Sequence, residues 1–289
     1  MSIPAPFDYH PVKTVDEAIS LLQEYSDDAK ILAGGHSLIP SMKLRLSQPG
    51  HLIDIRGIDG LSYIREEGDV IAVGAVTPYI QILRSDLLKR HFVALTEAAE
   101  DLGDQQVRNR GTLGGSLAHS DPAGDMPAVV LALKADIVVQ GPNGKRTVQA
   151  DDFFVDTFLT ALEPDEILTE IRFKLPPART GTAYMKLENK ASHYALTGCA
   201  AMVTLDTDGT CTAASVAITG ASTKTTRAGT VEAELVGKKL DEATVAAAAQ
   251  HAAEGLELVE DIHGSKAYRA QMTTVMARRA ILQAAEHAS

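Results

Sequence analysis

The spacing of apolar residues in the first 60 positions alternates between that of helices and that of strands. Thr14 precedes the first apolar stretch, and Glu17 follows three positions later, which is the spacing of a capping box at a helix start. Apolar residues then recur at helical spacing as far as about Glu24. The pattern predicts a helix at 14–24, a strand at 30–32, a short helix at 38–44 and a second strand at 51–55.

From Leu61 the pattern changes to short apolar runs separated by turn residues. Runs at 63–64, 70–75 and 137–139 predict strands, with turns at 67–69 and 142–144. Thr77-Pro78 predicts a helix start, since proline is tolerated in the first turn. Helices are predicted from there to about 83, at 87–102 and at 128–133. The middle of the chain therefore mixes strands and helices.

A proline-rich break at 176–181 separates the last third of the chain. Three apolar runs follow at 182–187, 198–205 and 211–219, and an Asp-Thr-Asp-Gly turn joins the second to the third. They predict a three-stranded antiparallel meander. Two helices are predicted after it, at 241–254 and 266–286. The break in composition indicates a domain boundary near residue 177.

Two glycine pairs stand out against this background. Ala33-Gly34-Gly35-His36-Ser37 lies between a predicted strand and a predicted helix, and Gly111–Ser116 contains a second pair. Adjacent glycines can take positive φ and let backbone approach a ligand, and their N–H groups can bind an anion. One such pair usually marks only a turn. Two pairs, each followed by a small hydroxyl residue, predict a clamp on a pyrophosphate, although the Rossmann fingerprint G-x-G-x-x-G is absent.

Composition narrows the possible functions. The chain has 289 residues and a net charge of −11, which argues against binding nucleic acid. Its two cysteines, Cys199 and Cys211, cannot supply an iron–sulfur cluster, and a reduced core pair is expected, with pairing across strands as the alternative. No signal peptide and no run of about 20 apolar residues is seen, so neither export nor membrane insertion is expected. The expected location is the cytoplasm, with peripheral contact at the inner membrane face left open.

Several single residues have both a structural and a functional interpretation. Asp125 fits either a helix N-cap or a carboxylate that accepts from a ribose or an adenine. Tyr194 alone would be a half-buried packing residue, and Lys186 a solvated strand lysine. His36 and His119 lie in or near the glycine motifs, but no third metal ligand has suitable spacing, which favours loop hydrogen bonding for both.

Four segments together resemble a known family. They are Phe7-Asp8-Tyr9-His10, the stretch 32–43 around the first glycine pair, Thr112-Leu113-Gly114-Gly115, and the stretch 121–128 from Asp121-Pro122 to Ala128. These segments are similar to the medium, FAD-binding subunits of molybdenum hydroxylases, and most of all to those of aerobic carbon monoxide dehydrogenases. Xanthine dehydrogenases carry a related domain. The similarity extends from about Phe7 to the last helix.

The resemblance implies an α+β fold: an FAD-binding domain of the vanillyl-alcohol-oxidase type at 1–177, with subdomains at 1–57 and 58–177. A C-terminal domain of three antiparallel strands and helices follows at 178–289. It also implies FAD contacts from both glycine motifs, an aspartate, a lysine, an apolar residue near the ring and a tyrosine covering it. The implied cofactor-binding residues are Ala33, Gly34, Gly35, His36, Ser37, Leu102, Thr112, Leu113, Gly114, Gly115, Ser116, Asp125, Leu168, Lys186 and Tyr194. Ser116 replaces the usual Asn, so a changed side-chain contact is expected there.

Three hypotheses of different classes follow. The first, implied by the resemblance, is an FAD-carrying electron-transfer subunit of a dimer of heterotrimers. Its iron–sulfur clusters would lie in a small partner subunit and its molybdopterin in a large one, and an apolar patch should mark the docking surface. Such a chain would not turn over substrate alone. The second is a self-sufficient FAD-dependent oxidoreductase, and the third is a nucleotide- or phosphate-binding module without turnover. The sequence chooses neither the substrate nor the acceptor, which could be a quinone, a cytochrome, NAD or oxygen.

Overall fold

The computed structural model describes residues 3–288, which form three units of helices and strands, each built around its own sheet. The predicted ends of the chain's domains at Met1 and Ser289 lie outside the described residues. The first unit contains a parallel sheet in the order β1–β3–β2. Its elements are β1 (Asp8–Pro11), α1 (Val15–Tyr25), β2 (Ala29–Leu32), α2 (Leu38–Lys43) and β3 (His51–Asp54).

The start of α1 forms as its sequence predicts. The Thr14 hydroxyl accepts from the N–H of Glu17, and the Glu17 carboxylate accepts from the N–H of Lys13 at 2.8 Å. Ala18 and Ile19 then face the sheet and are fully buried. Helix α1 thus covers one face of the parallel strands. The segment between β2 and α2 contains the first glycine pair.

The second unit is an antiparallel five-stranded sheet in the order β4–β5–β10–β6–β7, packed against helices. Its elements are β4 (Ile64–Glu67), β5 (Val70–Gly74), α3 (Tyr79–Arg84), α4 (Asp86–His91), α5 (Val93–Asp101), α6 (Gln105–Arg110), α7 (Leu113–His119), α8 (Asp125–Ala132), β6 (Asp136–Gly141), β7 (Gly144–Gln149), α9 (Ala150–Phe153), β8 (Phe154–Asp156), β9 (Leu159–Thr160) and β10 (Ile167–Lys174). All eight residues of α8 are buried, so this helix is the centre of the unit.

The third unit is an antiparallel sheet in the order β11–β12–β13–β14, with a long helix across it. Its elements are β11 (Thr180–Glu188), β12 (Ala195–Leu205), β13 (Cys211–Thr219), β14 (Thr226–Arg227), α10 (Gly229–Leu235), α11 (Glu242–Ala249) and α12 (Lys266–His287). Gly181 lets β11 approach α12 closely, because a Cβ there would overlap the backbone oxygen of Ala284. Cys199 and Cys211 are buried and unpaired, as expected.

The second and third units share a core. Tyr184, Ala200 and Ala217 of the third sheet belong to the same buried cluster as the helices of the second unit. Helix α8 packs on both β12 and β13. The backbone N–H of Tyr184 also donates to the Glu97 carboxylate of α5 at 2.7 Å. The break in composition near Pro176 is therefore not a break in packing.

Several predicted elements need correction. The last sheet has four strands, because the two residues of β14 pair with β13, and β14 is too short to show a period-2 pattern. The predicted helix at 87–102 is two helices, because Phe92 leaves helical geometry (φ −144°, ψ 62°) to bury its ring. The segment around the second glycine pair is not a loop but most of helix α7. Strands β1, β7, β8, β9 and β10 and helices α6, α9 and α10 were not predicted.

Candidate functional site

A cleft of about 720 Å³ lies between the first two units, and the segment between β11 and β12 borders it. This volume is within the usual range for a small-molecule or cofactor site. Most of the residues that the sequence singled out line it. They are Ala33, Gly34, Gly35, His36, Ser37, Leu102, Thr112, Gly114, Gly115, Ser116, Asp125, Leu168 and Tyr194.

The first glycine pair forms a tight loop at one wall of the cleft. Gly35 has a φ of +75°, which an L side chain rarely adopts. Gly34 packs directly on the second motif, because a Cβ there would lie 2.8 Å from the Cα of Gly111. Within residues 3–288, the backbone N–H groups of Gly34 through Ser37 donate to no protein acceptor. The loop therefore presents four unsatisfied donors beside the cleft, which suits an anionic group.

The second glycine pair differs from the first in its backbone hydrogen bonding. The N–H of Leu113 donates to Thr77, that of Gly114 to Ala75, and that of Gly115 to the Thr112 hydroxyl at 3.2 Å. These amides are therefore already satisfied by the protein. Gly114 is needed for packing, since a Cβ there would lie 2.7 Å from the backbone oxygen of Ala75. The two motifs are thus not equivalent halves of a backbone clamp.

A buried charge cluster lies beneath the cleft, centred on Asp125. Asp125 is the first residue of α8, and Gly124 holds the N-cap position, so the N-cap interpretation is wrong. The Tyr184 hydroxyl donates to the Asp125 carboxylate, and Lys186 Nζ lies 3.2 Å from it. Burial raises the pKa of Asp125 to about 6, although the Lys186 ammonium and the Tyr184 hydroxyl both act to lower it. Burial and the nearby carboxylate raise the pKa of Tyr184.

Lys186 connects three walls of the cleft without lining it. Its Nζ donates to the backbone oxygen of Asp101 at 2.8 Å, to Asp125, and to the backbone oxygen of His193 at 2.9 Å. Asp125 and His193 line the cleft themselves. Asp101 directly precedes Leu102 and His193 directly precedes Tyr194, and both of these residues line the cleft as well. Only 1% of the lysine side chain is exposed, so the solvated interpretation was wrong. The lysine is a structural cross-link under the site.

Aromatic side chains border the mouth of the cleft. Tyr194 is 45% exposed and Phe158, in the turn between β8 and β9, is 55% exposed. Partial burial raises the pKa of Tyr194, while a hydrogen bond with the Ser37 hydroxyl opposes the rise. His119 packs its ring against Phe158 with centroids 5.0 Å apart. In the described part of the chain neither His119 nor His36 makes a side-chain hydrogen bond, so loop hydrogen bonding was a wrong prediction for both.

Three more residues concern the site, namely the predicted Leu113 and Ser116 and the unpredicted Tyr184. Leu113 is fully buried in the core and does not line the cleft. Ser116 lies beside the buried hydroxyl of Tyr79, and their hydrogen bond opposes the rise that burial causes in the pKa of Tyr79. Sequence reasoning missed Tyr184, yet a signal existed: residues 184 and 186 have the same orientation on a strand because side chains alternate with a period of two.

Comparisons with known proteins agree with this geometry. The profile described as the FAD binding domain in molybdopterin dehydrogenase matches residues 5–176. The profile of the CO dehydrogenase flavoprotein C-terminal domain matches residues 182–284. The chain belongs to this family. It is an FAD-binding medium subunit of the carbon monoxide dehydrogenase and molybdenum hydroxylase type.

Individual relatives cover almost the whole chain. The carbon monoxide dehydrogenase medium chain of Hydrogenophaga pseudoflava is 43% identical, over 96% of this chain and 97% of its own. The medium chain from Afipia carboxidovorans is 40% identical, over 98% of each chain. Among solved structures, carbon monoxide dehydrogenase from Hydrogenophaga pseudoflava superposes with a TM-score of 0.95 at 44% identity, and quinoline 2-oxidoreductase from Pseudomonas putida 86 with 0.92 at 33%. Each superposition covers 99% of both chains.

Two features are absent from residues 3–288. No group of three or more His, Cys, Asp or Glu side chains is arranged to hold a metal ion. No helix in this part of the chain is both long and apolar enough to cross a bilayer.

Proposed function

We propose that this chain is the FAD-carrying electron-transfer subunit of a molybdenum and iron–sulfur hydroxylase. It would receive electrons from an iron–sulfur partner subunit and pass them to an external acceptor. The observation that carries the proposal is the loop Gly34–Ser37, whose four unsatisfied amides line a cleft of cofactor size. Family membership gives the cofactor, and the loop gives a reason why a pyrophosphate would bind at this wall.

The residues of the cleft fit FAD in the proposed arrangement. The amides of Gly34–Ser37 would hold the pyrophosphate, and the hydroxyls of Thr112 and Ser116 offer side-chain contacts in place of amides already used. Leu102, Leu168 and Tyr194 supply the apolar and aromatic wall suited to a ring system. Asp125, held by Lys186 and Tyr184, would be the polar contact on the cleft floor.

The division of labour between chains follows from chemistry. Bound FAD can accept single electrons and release pairs, whereas the protein supplies position and electrostatics. This chain would fix the flavin in place and keep Tyr194 over the cleft mouth. Within residues 3–288 no side-chain cluster for a metal is present, so the donor cluster and the molybdenum centre would be in a small and a large partner chain. We propose the dimer of heterotrimers and a cytoplasmic location on the same basis.

The test separates this proposal from a self-sufficient flavoenzyme. The purified chain should bind one FAD, and carbon monoxide, purines and aldehydes should leave its flavin oxidised. The complex isolated with both partner chains should show substrate-dependent bleaching of the flavin absorbance. Reduction of the flavin by substrate in the chain alone would contradict the proposal, and failure to bind FAD would favour a module without turnover.

A further inference from the structure

Three exposed apolar side chains, Ile39, Leu44 and Leu46, belong to helix α2 and the turn after it, which follow the first glycine loop in the chain. Together with Ile3 they are called the outer patch below. Ile3 is 74% exposed, Leu44 66% and Leu46 79%. The Nε of Arg45 donates to the backbone oxygen of Ile3 at 3.4 Å, which ties the N-terminal segment to the turn after α2. Several exposed apolar side chains on one short stretch of backbone are typical of an interaction site.

The two leucines are held on a fixed turn rather than on a loose loop. Helix α2 ends with Arg45 in the left-handed region, at a φ of +58°. The N–H of Leu46 donates to the Ser41 backbone oxygen at 2.9 Å, and the N–H of Arg45 to that of Met42 at 3.0 Å. This is the hydrogen bonding of a Schellman helix end, where glycine is usual. An arginine at that φ is strained, and strain of this kind clusters at functional sites.

The charge of this surface differs from that of the molecule. The chain has a net charge of −11, yet no Asp or Glu occurs anywhere from Ala29 to Ile53. Lys43 and Arg45 are both exposed next to the leucines. The outer patch is therefore apolar at its centre and basic at its rim. Such a surface complements a partner with an apolar centre and an acidic rim.

The outer patch is also directly connected to the proposed flavin site. Ser41 and Ser47, on either side of the leucines in the sequence, line the cleft. Ile39 packs over the first loop, because a Cβ on Gly35 would lie 2.7 Å from its Cδ1. The wall between the patch and the cleft is thus a single short helix and its terminal turn.

We propose that the outer patch is the docking surface for the iron–sulfur partner subunit, which would present an acidic, apolar-centred face to it. The inference rests on the proposed function and assigns that function a surface. A partner seated here would be separated from the cleft only by α2 and the turn after it.

The test uses the complex obtained by co-expressing this chain with its two partner chains. Leu46→Asp should lower the iron retained per FAD at least tenfold, because it places a buried charge at the centre of the interface. FAD content should stay at the wild-type level, since Leu46 does not line the cleft. Ile262→Asp is the matched control: Ile262 is 95% exposed in an acidic segment, and its change should leave the iron content unaltered.

A second variant tests the same surface without threatening the fold of the chain. Arg45→Gly relieves the positive φ, so the turn should become more stable, while the rim loses a charge. Association with the partner should slow several-fold at low salt, and the difference should shrink as salt is raised. Wild-type iron content in Leu46→Asp together with unchanged association of Arg45→Gly would overturn the docking surface alone. A wild-type chain that binds FAD but no iron-containing partner would overturn the proposed function itself.

Discussion

Replacing Lys186 with methionine tests the buried cross-link beneath the cleft. Methionine keeps the length and apolar character of the side chain but removes three hydrogen bonds to Asp101, Asp125 and His193. Breaking one partner of a buried ion pair costs about 3–5 kcal/mol, because the other charge stays buried without compensation. For a chain of this size, that corresponds to a fall in Tm of about 10 °C.

The pH dependence makes this expectation specific. The pKa of Asp125 is already raised to about 6, and losing the Lys186 ammonium would raise it further. A carboxyl whose folded pKa is raised stabilises the fold at low pH, and this contribution is lost as pH rises through the folded pKa. Above pH 6 the variant would therefore lose about 1.4 kcal/mol more per pH unit relative to wild type, until its own pKa is passed.

Urea denaturation followed by far-UV circular dichroism measures this effect at pH 6 and pH 7. Lys190→Met is the matched control, because Lys190 is exposed in the neighbouring loop and makes none of these bonds. In the double variant that combines Asp125→Asn with Lys186→Met, the pH-dependent part of the stability loss should disappear, since no buried carboxylate remains at position 125. An equal loss of unfolding free energy at both pH values would refute the cross-link. A loss no larger than that of Lys190→Met would refute it as well.

Three further outcomes are expected from single substitutions. Gly35→Val should abolish FAD binding while the chain stays folded, measured by flavin absorbance and circular dichroism, because its φ of +75° is confined to the surface loop. Gly114→Val should instead lower the Tm, since its Cβ would press on the backbone of Ala75; full stability would contradict that packing. Tyr194→Ala should leave FAD bound but change the flavin's potential or reoxidation rate, and three unchanged readouts (potential, spectrum and rate) would make Tyr194 a packing residue.

The alternation of apolar and polar residues was enough to predict most of the third unit and the start of the first. Strands β12 and β13 are long and flanked by clear turns, so their period-2 pattern could be recognised in the sequence. Strand β10 was missed because it lies in the middle of its sheet and mixes buried and charged positions, as in Glu170 and Arg172. Its partners β5 and β6 are distant in sequence, and pairing of that kind leaves no local signal.

Most of the residues that the sequence singled out line one cleft, but their hydrogen bonding could not be predicted from the sequence. The glycine pairs were found because Gly-Gly is conspicuous, yet nothing local shows that the amides of Gly114 and Gly115 are already bonded. That depends on Thr112 acting as a helix cap and on β5 ending just before Ala75. The burial of Lys186 likewise depends on α5, α8 and the loop before Tyr194 converging. Such convergence is a property of the tertiary structure.

The shared core of the second and third units has a consequence for how the chain is made. We propose a domain boundary near residue 177, but helix α8 is covered by β12 and β13, and Ala217 completes its cluster. A ribosome must therefore release more than three quarters of the chain before α8 is shielded from water. Until then the nascent N-terminal part exposes an apolar helix and needs protection from aggregation. Cofactor loading would have to wait as well, because Tyr194 and the lysine cross-link arrive with the same late strands.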